Sequence, residues 1–151
     1  MPATNDAVTG DPLVAFNFSL QVGKTNGYFT EVSGLGSEHE VVEHKINDGK
    51  GHEMVRKIPG RLKWGDITLK RGITANMDMW DWRKQVEDGH VSEARLNGSV
   101  MMLDQEGAII ARWDFKAGWP SKITGPTPKA DSNEVGVEEL VIVHEDIRRI
   151  K

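Results

Sequence analysis

Hydrophobic and polar positions alternate in short blocks along most of the chain. Val14, Phe16, Phe18, Leu20 and Val22 are separated by Ala15, Asn17, Ser19 and Gln21, and this period of two marks a strand with one buried face. Gly23, Asn26 and Gly27 supply a turn, so Tyr28 to Val32 is expected to return antiparallel, with Gly34 and Gly36 letting the chain bend afterwards. Further on, Ile67 and Leu69 face one way while Asp66, Thr68 and Lys70 face the other, and Gly72 ends the strand. The period then changes. Met79, Trp82 and Val86 recur at spacings of three and four, which predicts a helix with an apolar, aromatic stripe. Asn76 suits its N-cap, Asp78 and Asp81 sit at the positive end of its dipole, and Gly89 is placed to stop it.

Two more strand pairs follow from the same pattern. Leu96 to Leu103 and Ala108 to Phe115 form a hairpin around Asp104-Gln105-Glu106-Gly107, with Ile109, Ala111, Trp113 and Phe115 on one face. Trp119-Pro120 and the Gly125-Pro126-Thr127-Pro128 stretch read as loop, because proline cannot donate to a central ladder. Val135 to Val143 reads as the last strand, with a phase change at Glu138-Glu139 that predicts a bulge. The remaining pair, residues 37–46 and 53–58, is a hairpin turned by Asn47-Asp48-Gly49-Lys50-Gly51; its first arm is mostly acidic and its second ends basic. Residues 1–12 are small and polar and read as an N-terminal arm. The sum is a mainly β fold with one α-helix: two packed antiparallel sheets, or one sheet curled into a barrel. Phe16, Phe18, Trp64, Trp82, Trp113 and Trp119 are the aromatic residues expected to build it.

Composition narrows the class. At 151 residues the chain is the size of one domain, taken here as 1–151. No apolar run approaches the ~18 residues of a membrane span, and the first six residues lack the basic and apolar regions of a secretory signal. There is no cysteine, so disulfides, thiolate nucleophiles and Cys-based metal sites drop out, and the chain fits assembly in a reducing cytoplasm. A net charge of -4 gives no global attraction for nucleic acid.

Candidate chemistry fails on spacing. His39-Glu40, His52-Glu53 and His144-Glu145 are followed three residues later by Glu43, Arg56 and Arg148, where a zinc protease needs its second histidine. Ser33 lacks the preceding glycine of a nucleophile elbow, and Gly49-Lys50-Gly51 lacks the first glycine and the hydroxyl of a phosphate loop. Asp78 and Asp81 are accounted for by the helix start. Arg56, Lys57, Arg61, Lys63, Lys70 and Arg71 concentrate positive charge around Trp64, but strand alternation scatters them over two faces and no aromatic ladder accompanies them. The expectation is a protein without catalytic residues, metal or cofactor. For the charged hairpin two readings stay open: Glu40 or Glu43 pairs with Arg56 or Lys57 across its own strands, or the hairpin reaches onto a neighbouring chain.

The run Lys63-Trp64-Gly65-Asp66-Ile67-Thr68-Leu69-Lys70-Arg71-Gly72, followed by Trp80-Asp81-Trp82-Arg83, resembles the tail-tube protein family of contractile phage tails and contractile injection systems. Collinear matches lie at Phe29 to Leu35, Arg56-Lys57-Ile58-Pro59-Gly60, Ala111-Arg112-Trp113-Asp114-Phe115 and Trp119-Pro120-Ser121-Lys122, covering the chain from about Asp11 to Arg149. The resemblance implies a tail-tube fold and a structural role: hexameric rings stacked into a rigid hollow inner tube, enclosed by a contractile sheath. It implies baseplate and terminator or cap proteins as further partners, and cargo effector or DNA in the lumen. It also implies that residues 37–60 form an extended hairpin joining subunits, making Glu40, Glu43, Lys45, Arg56 and Lys57 interface candidates, with the N-terminal arm and Arg148-Arg149 as lesser ones. The alternative within the same fold is a baseplate tube-initiator that stops at one ring.

Overall fold

In the computed structural model, residues 17–126 and 136–151 are described. The strands are β1 (Asn17–Val22), β2 (Thr25–Phe29), β3 (Glu31–Ser33), β4 (Ser37–Asn47), β5 (Glu53–Trp64) and β6 (Ile67–Gly72). Helices α1 (Asp78–Glu87) and α2 (Val91–Ala94) come next, then β7 (Leu96–Leu103), β8 (Ile109–Thr124), β9 (Val137–Val143) and β10 (Asp146–Arg149). Eight strands form one antiparallel sheet in the order β2-β1-β7-β8-β9-β6-β3, with β10 also on β8. The two ends of that path, β2 and β3, are consecutive in the chain, and the Thr30 N–H between them donates to the Lys70 carbonyl at 2.9 Å. The sheet therefore curls back on itself and brings β2 beside β6. Strands β4 and β5 stand apart as a sheet of two.

Strand β8 makes the curl possible. Its first half pairs with β7 and β10 and its second half with β9. Between the halves Ala117 adopts φ 52, a left-handed value uncommon for alanine, and its N–H is held by Asn97 Oδ1 at 3.1 Å. Leu20, Val22, Phe29, Ile67, Leu69, Val100, Phe115, Leu140 and Ile142 point inward and are buried, with Met79 and Trp82 of α1 closing the core. Complete burial of each such large side chain is worth roughly 1.5–3 kcal/mol. Trp82 also donates from Nε1 to the Ala94 carbonyl at 2.8 Å, which ties α1 to α2. Of the other expected aromatic residues, Phe18, Trp64 and Trp113 pack half-buried against this core and Trp119 is half-buried in β8. Phe16 and the N-terminal arm lie outside the described residues.

The structure differs from the sequence pattern at several points, each with a physical cause. Tyr28 to Val32 is not one strand: β2 ends at Phe29 and β3 starts at Glu31, because the chain passes there from one end of the sheet to the other. Trp119-Pro120 is strand rather than loop, and the register slips between Pro120 and Lys122, so the proline sits at a bulge. The bulge predicted at Glu138 is absent, since β6 and β9 pair without interruption from Ile67↔Ile142 to Gly72↔Val137. Glu138 stays in phase with Leu140 and Ile142 and simply faces the core. Helix α1 begins at Asp78 with Met77 as N-cap, although Asn76 Oδ1 still accepts the Asp78 N–H at 2.8 Å. Gly89 takes the expected left-handed conformation at φ 88, and the short α2 beyond it was not expected.

Candidate assembly surface

The hairpin β4–β5 is the part of the described chain least explained by its own fold. Residues opposite one another in an antiparallel pair share a face. Register thus puts Val42/Ile58, His44/Arg56 and Ile46/Met54 on one face, and Val41/Pro59, Glu43/Lys57 and Lys45/Val55 on the other. Both faces are open: Val41 is 63% exposed, Val42 50%, Val55 54% and Met54 49%. A two-stranded hairpin is marginal alone in water, and both of its outer edges carry unpaired backbone groups.

Charges on the hairpin are mostly left for a partner. Glu40 closes an ion pair with Lys63 at 2.8 Å, rather than with Arg56 or Lys57. Glu43 sits opposite Lys57, and Lys45, Arg56 and Lys57 are exposed. An exposed pair contributes no more than ~1 kcal/mol, so these charges do not hold the hairpin in shape. The tip has hydrogen bonds of its own. Asp48 Oδ1 accepts the Lys50 N–H at 2.7 Å and the His52 N–H at 3.2 Å, and its Oδ2 lies 3.0 Å from His52 Nδ1. The Lys50 hydrogen bond foremost holds the Asp48 carboxyl below its usual range.

The two C-terminal arginines are brought to different places. The Arg148 guanidinium stacks over Trp64 at 5.6 Å and forms an ion pair with Asp146, Nε lying 3.1 Å from Oδ1, which sets it at the hairpin root. Arg149 stacks over Trp113 at 5.6 Å. Both remain exposed, yet each already has a partner in its own chain.

A charged cluster inside the barrel escaped the sequence reading. Arg71 donates from Nε to Glu138 Oε2 at 3.1 Å, with both side chains at least 95% buried, and Trp80 Nε1 donates to Glu138 Oε1 at 2.9 Å. The guanidinium also lies 5.2 Å from the centre of the Phe29 ring. Arg71 therefore does not belong to the basic surface suggested by its neighbours in sequence. The signal was present: Arg71 follows Ile67 and Leu69, and Glu138 precedes Leu140 and Ile142, all at intervals of two.

On the outward side of β7 and β8, Ser99 Oγ donates to Asp114 Oδ1 at 2.7 Å and Arg112 Nε donates to the same oxygen at 2.9 Å. Partial burial raises the Asp114 carboxyl, but Ser99 and Arg112 outweigh it and the net direction is down. A carboxyl depressed on folding adds stability above its unfolded value near ~3.9, and that contribution fades as pH falls through the folded value. Asp114→Asn is accordingly expected to lower the thermal midpoint at neutrality, where that contribution is fully present, and to leave it little changed well below about pH 4, as a pH series of melts would show.

None of the three His-Glu pairs lies on a helix: His39 is in β4, His52 precedes β5, and His144 separates β9 from β10. Ser33 ends β3 in an exposed position. Among the described residues, no three His, Asp or Glu side chains converge as a metal site, and no helix is long and apolar enough to cross a membrane.

Fold and surface together define a mainly β protein with a detached two-stranded hairpin open on both faces. The chain belongs to the T4-like virus tail tube protein gp19 family, whose profile matches residues 14–148. It is a structural tube subunit. It is similar to a chain of the PVC extracellular contractile injection system, solved as the sheath-tube complex in the extended state, at 22% identity and TM-score 0.75 over 99% of both chains. It is similar to a chain of the anti-feeding prophage tube-terminating cap at 22% identity and TM-score 0.68, again over 99% of both. Hcp1 from Flavobacterium johnsoniae shares the fold at 16% identity and TM-score 0.54, over 87% of this chain and 93% of that one.

Proposed function

We propose that the whole chain acts as one domain that closes head to tail into six-membered rings, and that the rings stack into a rigid hollow tube. The observation that carries this reading is the detached hairpin, whose two faces and two edges are uncovered in the single chain. Contacts between unlike patches close a ring where the rotation allows and continue as a filament where it does not. The hairpin supplies such a patch, with Lys45, Arg56, Lys57 and Glu43 selecting the register of the neighbour and the apolar side chains adding affinity. Arg148 and Arg149 serve the interface indirectly, through the tryptophans they cover.

In this reading a contractile sheath surrounds the tube, a baseplate starts it and a terminator or cap ends it. The PVC and anti-feeding prophage structures with which the chain shares its fold contain such parts. Cargo effector or DNA passes through the lumen, and assembly takes place in the bacterial cytoplasm. The sheath is met through weak, mostly electrostatic contacts, consistent with an acidic subunit.

The test is charge reversal of Arg56 and Lys57 together to Glu. The monomer is expected to keep its fold, because both side chains are exposed, while tube formation seen by negative-stain microscopy is lost. Unchanged tubes from the double variant would remove the hairpin from the interface. Preparations that form rings but never filaments would instead identify the tube-initiating variant of this fold.

A further inference from the structure

The hairpin is joined to the barrel only at its root. Among the described residues, β4 and β5 make no substantial contact with any other element beyond Trp64 at the root. The chain enters through Gly34 and Gly36 and leaves through Gly65. Gly34 has φ +86, and a Cβ there would lie 1.8 Å from the Asp66 carbonyl oxygen, so no other residue fits. The Gly65 N–H donates to the Gly36 carbonyl at 3.0 Å. At these glycines, entering and leaving chain run backbone against backbone, and glycine has no side chain to fix the angle between them.

A side chain from the far end of the sequence reaches into this junction. His144 Nε2 lies 2.9 Å from the Gly65 carbonyl oxygen; a carbonyl only accepts, so Nε2 carries the hydrogen and donates. The imidazole lies between Trp64, the last residue of the hairpin, and Phe115 of the core, 6.2 Å from each ring centre. Its Nδ1 is buried with no partner among the described residues. Phenylalanine would fill the same space without stranding a polar atom. The histidine is thus explained by the hydrogen bond it gives to Gly65, not by packing.

We propose that His144 is the positioning residue of the hairpin: its hydrogen bond to Gly65 sets the direction in which β4 and β5 leave the barrel. This rests on the hairpin's role in joining subunits. The lever is long, since eleven or twelve residues at ~3.3 Å each span about 35 Å, and an error of about 10° at the root moves the tip by about 6 Å. That displacement exceeds the reach of any hydrogen bond. Arg148 acts from the same side, stacked on Trp64 four residues beyond His144.

Spin labels test the idea directly, because the chain has no cysteine and Lys50→Cys at the tip with Glu106→Cys on a barrel turn accept them selectively. The distance distribution is expected to be narrow in the parent, about twice as wide in His144→Phe, and narrow again in His144→Gln, which restores a donor. Thermal midpoints should stay close together, a pattern that a packing role would not give. His144→Phe is expected to need about tenfold more protein to form tubes, with His144→Gln recovering the parent threshold. Should phenylalanine disturb the fold, His144→Met serves in its place. A parent-like distribution and threshold in the variant without a donor would overturn the assignment. Replacing residues 42–58 by a two-residue turn separates the two ideas. If that variant still forms tubes, the joining role of the hairpin fails; if it does not, while His144→Phe assembles normally, only the role of His144 fails.

Discussion

Replacing Glu138 by alanine is expected to lower the stability of the monomer by about 3–5 kcal/mol, the usual cost of leaving a buried charge without its partner. Arg71 would keep its cation inside the barrel against the Phe29 ring, and Trp80 Nε1 would lose its acceptor. For a chain of this size each kcal/mol moves the thermal midpoint by ~2–4 °C, so the midpoint should fall by roughly 10 °C. The paired change Arg71→Met with Glu138→Leu is expected to recover most of that loss, because it removes both charges instead of stranding one. The cluster links β6, β9, α1 and the Phe29 end of β2, so its loss should also loosen the helix. A Glu138→Ala protein as stable as the parent would show that the pair is not what holds these elements together.

Putting aspartate at both Val42 and Ile58 is expected to abolish assembly without unfolding the chain. The two residues face each other across the hairpin and are 50% and 40% exposed, so the isolated monomer should change by no more than about 1 kcal/mol. In the proposed tube the same positions would be covered by a neighbour, and burying two new carboxylates without partners costs at least ~3 kcal/mol per contact. At 1.4 kcal/mol per factor of ten, the threshold concentration rises about 100-fold or more. Sedimentation of the variant beside the parent measures this. A threshold close to the parent's would mean that this face stays in water in the assembled particle.

Much of the fold was legible because strand periodicity is a local property. The run of inward residues in β6, the Leu96–Leu103 strand and the apolar stripe of α1 could all be placed from spacing, and the charged hairpin from its turn residues. What could not be placed depends on partners distant in sequence. Nothing within Tyr28 to Val32 says that Thr30 is where the chain crosses between sheet ends, and Pro120 is tolerated only because β8 slips register against β9. Glu138 was misread for a related reason: its polarity broke the pattern, although its position did not. Arg71, 67 residues away in sequence, is what makes that carboxylate acceptable inside. The candidate assembly surface was visible as charge and turn chemistry, but not the apolar side chains left open on both of its faces. The contribution of His144 depends on a hydrogen bond to a residue 79 positions away, beyond any spacing rule.

Cryo-electron microscopy of the purified full-length protein addresses the central claim most directly. The expected result is hollow filaments of uniform width, built from stacked six-membered rings, with the β4–β5 hairpin buried between subunits. A protein that remains monomeric at high concentration, even with the proposed sheath and baseplate partners present, would contradict it.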